Sequence, residues 1–170
     1  MYQEENQRAK KVAFRAMLVA LAMILSYVES QIPTWAMVPG MKLGLTNVVV
    51  MVALYRVNEK EAVIINVIRI MLVGFTFGNM FSIVYSLAGG ILSGIVMIVL
   101  KRTGKVSMTT VSVAGGVFHN VGQIIVAMIL LETKAILYYL MVLWITGIFA
   151  GVIIGLLSAE VIKRLPRNFI

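Results

Sequence analysis

The stretch from Ser112 to Gln123, SVAGGVFHNVGQ, holds the chain's single histidine beside an asparagine and a glutamine. At 100° per residue, Ser112, Gly115, Gly116, His119, Asn120 and Gln123 fall within an arc of roughly 140° on one helix face. That face is small and polar, and the opposite one is Val, Ile and Phe. Imidazole and amide groups can both donate and accept hydrogen bonds, so the face suits the wall of a ligand site. A bland alternative stands beside it: a lone histidine with neighbouring amides also makes an ordinary interhelical hydrogen-bond cluster.

Two cations extend the pattern. Arg69 lies about halfway along an apolar segment, and a charged side chain at mid-bilayer costs at least ~2.5 kcal/mol on insertion scales. One that persists there faces a cavity or a partner, and Glu29 and Glu160 are the candidate partners for an ion pair. Lys42 opens the next apolar segment from the outer side, where it either reaches lipid headgroups or joins the site. Lys42, Arg69 and His119 together would make a cationic pocket open to the outside and suited to an anionic ligand. Asn47, Asn79, Asn120 and Gln123 would add the neutral hydrogen bonds that orient it.

Catalytic chemistry has little to work with. The chain has no cysteine and no aspartate, which removes disulfides, thiolate metal sites and cysteine nucleophiles. One histidine builds no ordinary zinc or iron site, and Gly104-Lys105 lacks the rest of a phosphate loop. Prenyl-transfer enzymes hold diphosphate through magnesium on aspartate-rich clusters, for which seven glutamates placed mostly in loops give no substitute. The expectation is a protein that is not an enzyme, with no catalytic residue, no metal and no cofactor.

The elements that must position these residues are membrane helices. Of 170 residues 61% are hydrophobic and 13% charged, whereas soluble domains carry about one quarter charged residues. A net charge of +8 could suggest nucleic acid, but basic residues set between apolar runs of about 20 residues are better explained as loop charges. No nucleic-acid partner is expected. The basic start followed by an apolar run could be taken for a signal peptide, yet it has no clear small-x-small cleavage site and further spans follow, so it reads as a retained helix.

The fold expected is an all-α integral membrane protein, one compact domain over 1–170 with six transmembrane helices at about 11–27, 41–55, 62–75, 81–100, 106–131 and 136–162. Pro33, Pro39 and Trp35 mark the loop after the first helix, and GFTFGN at 74–79 reads as a glycine-punctuated turn. With the N-terminus in the cytoplasm, every lysine and arginine except Lys42, Arg69 and Lys134 falls on or near the cytoplasmic side. The positive-inside rule thus predicts both termini inside. Ala9, Ala13, Ala16 and Ala20 stack in one stripe, and Gly90/Gly94 and Gly147/Gly151/Gly155 recur at four-residue spacing. Small residues let helices approach closely in lipid, either within the bundle or against a partner.

The strings MKLGLTN (41–47), FGNMFS (77–82), SLAGGILSG (86–94) and HNVGQ (119–123), in this order over six spans, resemble the bacterial family labelled heptaprenyl diphosphate synthase component I, also called the Gx transporter family. The match covers nearly the whole chain. That family is similar to the substrate-binding S components of energy-coupling factor (ECF) transporters. In those transporters an alanine-rich motif on helix one docks a transmembrane coupling subunit, and two separate ATPase subunits supply energy. Ala9–Ala13 and Ala16–Ala20 match that motif, so the resemblance implies partner docking there. It places the ligand near the outer face, under the loop between helices one and two. The implied function is capture of a small anionic ligand from outside for ATP-driven uptake across the bacterial cytoplasmic membrane. The alternatives it carries are a non-catalytic membrane subunit of polyprenyl diphosphate or quinone synthesis, or of a flavin-linked redox assembly, with a ligand related to isoprenoids, flavin or quinone.

Overall fold

The computed structural model describes residues 2–32, 44–133 and 135–165, and these form helices joined by short turns. The elements are α1 (Tyr2–Ser30), α2 (Asn47–Val52) running on into one π-helical turn (Ala53–Val57), α3 (Glu59–Phe77), α4 (Met80–Thr103), α5 (Met108–Leu130) and α6 (Leu137–Arg164). Pro33, Trp35, Pro39, Lys42, Lys134 and Arg167 lie outside the described residues.

Local chemistry sets the helix boundaries. α1 starts at Tyr2 rather than near residue 11, because Gln, Glu, Arg, Ala and Lys favour helix whether or not they are apolar. α2 begins at Asn47, after Gly44 takes the left-handed φ of +72° that turns the chain into it. The side chain of Asn58 accepts a hydrogen bond from the Glu61 N–H and starts α3. Ser107 does the same for α5 through Thr110 N–H. The turn expected over 74–79 is shorter than its glycines suggested. Gly74 is buried inside α3, which runs to Phe77. A Cβ on Gly74 would lie 2.1 Å from Ile83 Cγ1, so that glycine serves close packing of α3 on α4.

α1 over Glu5–Ser30, together with α4, α5 and α6, is long and apolar enough to cross a membrane. α6 turns Met141, Trp144, Ile145, Phe149 and Ile153 outward, a face that belongs in hydrocarbon. These four helices mark a multi-pass membrane protein. Asn47–Val57 is a shorter apolar helix. At 1.5 Å per residue it measures roughly 16 Å, against a hydrocarbon core of about 30 Å. Its middle is apolar all round and central: Val49, Val50, Met51, Val52, Ala53 and Leu54 are all buried, and all of them but Val52 share one core cluster with Leu18, Ala22, Ile65 and Val111.

The glycine rows have different fates. In α6 they face α5: a Cβ on Gly147 would lie 3.2 Å from Gly116 C, one on Gly151 2.5 Å from Val113 Cα, and one on Gly155 2.7 Å from Thr109 Cα. In α4 the pair divides. Gly90 meets Ile70 and Asn66 of α3, while nothing stands within 4 Å of the place a Gly94 Cβ would take.

Charged groups gather at one end of the bundle. Arg15 pairs with Glu61 and Arg102 with Glu59. Arg56 donates to the carbonyls of Ile162 and of Leu165, the latter at 3.0 Å. It thereby satisfies acceptors that the end of α6 leaves without intrahelical partners. The middle of α1 at Arg15, the α2–α3 turn and the ends of α4 and α6 therefore lie together at one end of the bundle.

Candidate functional site

Every helix contributes to the wall of a polar cavity of about 70 Å³. α1 supplies Glu29, α2 Asn47 and Met51, α3 Arg69, α4 Ser86 and Ser93, and α6 the backbone around Gly147 and Gly151. α5 gives the largest share, with Ser112, Gly115, Gly116, His119, Asn120 and Gln123 all on the wall. The helix face that stood out in the sequence thus points at the cavity as a unit.

Arg69 is held from two helices. Its Nε and Nη2 donate to the Asn66 Oδ1 at 3.1 and 2.8 Å, and Nη2 also reaches Asn47 Oδ1 at 3.4 Å. Asn66 is buried and donates in turn to the Gly90 carbonyl at 3.4 Å. These are neutral acceptors. Among the described residues the ion pairs within 4.0 Å are Arg15–Glu61, Arg102–Glu59 and Arg164–Glu160, so Glu160, one expected partner of Arg69, is engaged one turn along its own helix. Glu29, the other, lines the same cavity, but its Oε1 accepts from the Gly44 N–H at 2.6 Å. It thereby fixes the chain entering α2, as does the 2.8 Å hydrogen bond between the Ser26 and Thr46 hydroxyls.

The α5 side chains divide their work. Asn120 donates to the Leu143 carbonyl of α6 at 2.6 Å, a bond that pins α5 to α6 while the residue still lines the cavity. His119 lies against α4, where a Cβ on Gly89 would stand 3.0 Å from both Cε1 and Nδ1 of its ring. Gly89 is therefore what admits the imidazole. Gln123 sits at the margin and also lines a second, open groove of about 430 Å³ between α4, α5 and α6.

Asn79 and Lys42 complete the expected set. Asn79 does not line the cavity. Its Oδ1 caps α4 by accepting from the Ser82 N–H at 2.9 Å, because an Asn just before a helix is drawn to the unpaired N–H groups there. Its place is on the wall of the open groove. Lys42 falls outside the described residues. Sequence reasoning missed Ser86 and Ser93 as wall residues and Asn66 as the group that holds Arg69. For Asn66 a signal existed, since it precedes Arg69 by three residues on one helix face.

Ala9, Ala13, Ala16 and Ala20 are all exposed. Their stripe is centred roughly 150° around α1 from the face that buries Leu18, Ala22 and Ser26. Among the described residues, then, no neighbouring helix covers the stripe.

The arrangement suits binding: a guanidinium held by neutral acceptors, the Glu29 carboxylate, an imidazole, three amides and several hydroxyls around a small space. No group of three His, Cys, Asp or Glu that could hold a metal occurs among the described residues. A family model described as heptaprenyl diphosphate synthase component I matches residues 18–161. No curated protein and no solved structure matches the chain.

Proposed function

The chain belongs to the heptaprenyl diphosphate synthase component I family, and on that premise we propose that it is a ligand-binding membrane subunit of the S-component type. In this reading both termini are cytoplasmic, and six helices sit in the bacterial cytoplasmic membrane, with the short α2 enclosed by the others. A small anionic ligand enters from outside and is held by Arg69, His119, Asn120, Gln123 and Asn47, and Lys42 contributes a further cation. The alanine stripe docks a transmembrane coupling subunit that two ATPase subunits drive.

The observation that carries the reading is the convergence on one cavity of Arg69, Asn47, His119 and Gln123 from three helices, with no carboxylate oxygen of the described residues within 4.0 Å of the guanidinium. The guanidinium bonds to neutral amides, and the one carboxylate on the same wall, Glu29, is bonded to the Gly44 N–H; a cation not directly paired in this way retains attraction for an incoming anion. The exposed alanine stripe supports the docking half, since it leaves a close-approach surface facing lipid.

Native mass spectrometry of protein purified gently from membranes tests the reading. The wild type is expected to carry a co-bound small molecule, and Arg69→Gln to hold it about 10- to 100-fold more weakly, the range for losing one charge-assisted hydrogen bond of ~1.5–3 kcal/mol. His119→Ala should weaken it as well. A wild type with no such adduct, or one equally retained by both variants, overturns the proposal.

The family description favours a second reading, in which the chain is the membrane component of a polyprenyl diphosphate synthase. Pull-down of a soluble synthase subunit without any ATPase would select it.

A further inference from the structure

The polar cavity is small for a ligand of ordinary size. At about 70 Å³ it falls well short of the roughly 300–1,000 Å³ usual for small-molecule sites. It is not closed on all sides, however. Ser86 of α4 and Gln123 of α5 line both this cavity and the open groove of about 430 Å³ between α4, α5 and α6. Past these two side chains the lining changes character. Phe81, Tyr85, Ile124, Ala127, Ile136 and Tyr139 form most of the groove wall. The groove lies where α4 begins, α5 ends and α6 begins, the end of the bundle opposite the Arg15–Glu61 and Arg102–Glu59 pairs.

We infer that the ligand is an amphiphile whose anionic head group sits against Arg69 and whose apolar tail passes between Ser86 and Gln123 into the α4–α5–α6 groove. This rests on the reading of the cavity as a ligand site and names the class of molecule it takes. Cavity and groove answer to opposite chemistries, and one molecule carrying both satisfies them together. The head group loses water to the guanidinium and the amides. The tail leaves water or lipid for a wall of aromatic and aliphatic side chains, where burial contributes in proportion to chain length.

A second apolar groove lies between α3 and α4, about 110 Å³ in volume and lined by Leu87, Ile91 and Ile95. The residue it shares with the polar cavity is Met97 of α4, which is buried and packs against α5, its Sδ 2.6 Å from where a Gly115 Cβ would be. The contact with this groove is thus a single buried side chain, whereas two half-buried ones, Ser86 and Gln123, border the α4–α5–α6 groove.

The test uses the full chain in lipid nanodiscs and a dodecyl phosphate with a diazirine at mid-chain, alongside the matching uncharged dodecanol probe. After irradiation, peptide mass spectrometry maps the sites labelled. The expected result is labelling by the phosphate probe at Tyr85, Ala127 and Tyr139, at least tenfold above the alcohol. Arg69→Gln should abolish that preference. Ala127→Trp, and independently Ile136→Trp in case the first variant folds poorly, should reduce groove labelling at least tenfold. Labelling spread over lipid-facing positions, labelling centred on Leu87, Ile91 and Ile95, or groove labelling indifferent to Arg69→Gln would each overturn the inference. Native mass spectrometry keeps the two claims apart: an adduct without an apolar chain that Arg69→Gln removes would leave the ligand site standing and refute the amphiphile.

Discussion

Arg69 shows how a charge can be held within a membrane helix bundle by neutral acceptors. Its bonds go to Asn66 and Asn47, which satisfy N–H groups without cancelling charge. Asn66 is a positioning residue: it fixes the guanidinium through one carbonyl oxygen while its amide nitrogen is tied to Gly90. Asn66→Leu should therefore weaken ligand retention about tenfold with Arg69 still present, through loss of one orienting hydrogen bond to a charged group of ~1.5 kcal/mol. Native mass spectrometry of the adduct reads this directly, and unchanged retention would show that Arg69 needs no such support. At this scale the sequence was informative about residue type. Arg69, His119, Asn120 and Gln123 were legible because a polar group in an apolar segment is costly unless it has a use. Ser86 and Ser93 were not, since serine is at home in membrane helices and carries no comparable signal.

Helix packing here runs on glycine, and the positions differ sharply in what a side chain would meet. Gly151→Leu drives a Cβ to 2.5 Å from the Val113 Cα, and backbone cannot step aside as a side chain can. Overpacking of this kind costs typically ~1–3 kcal/mol, so a lowered midpoint in a thermal unfolding scan in detergent is expected. Gly94→Ala meets nothing within 4 Å and should hold or raise the midpoint, by up to ~1 kcal/mol of reduced backbone entropy. Equal loss in both variants would remove the distinction between the two rows. The alanines of α1 belong to another class, because they are exposed. Ala16→Trp with Ala20→Trp is expected to leave the thermal midpoint of the isolated chain unchanged and to abolish co-purification with a coupling subunit. Retained co-purification would sink the docking surface. Four-residue spacing looks the same in all these stripes, so the pattern identified helices meant for close approach without saying which neighbour each approaches.

The whole molecule joins a charged end to an apolar body with a polar cavity inside it. Arg15–Glu61, Arg102–Glu59 and the Arg56 bonds to the end of α6 tie four chain segments together at that end. If it is cytoplasmic, reporters fused at either terminus follow. A fluorescent protein at each should shine, and alkaline phosphatase at each should stay inactive, whereas an active phosphatase at either terminus would refute the orientation. The sequence alone determined that the chain is helical, apolar and basic at its ends, and it singled out the α5 face and Arg69. Those properties follow from composition and from periodicity along one helix, which a linear reading can follow. Tertiary structure decided the rest. It sent Asn79 to a helix cap, turned the α6 glycines inward and the α1 alanines outward, and set an apolar groove beside the polar cavity, with Ser86 and Gln123 on the wall of both. Each of these depends on which helix stands beside which. That choice is made by shape complementarity between side chains far apart in sequence, and no single segment carries it.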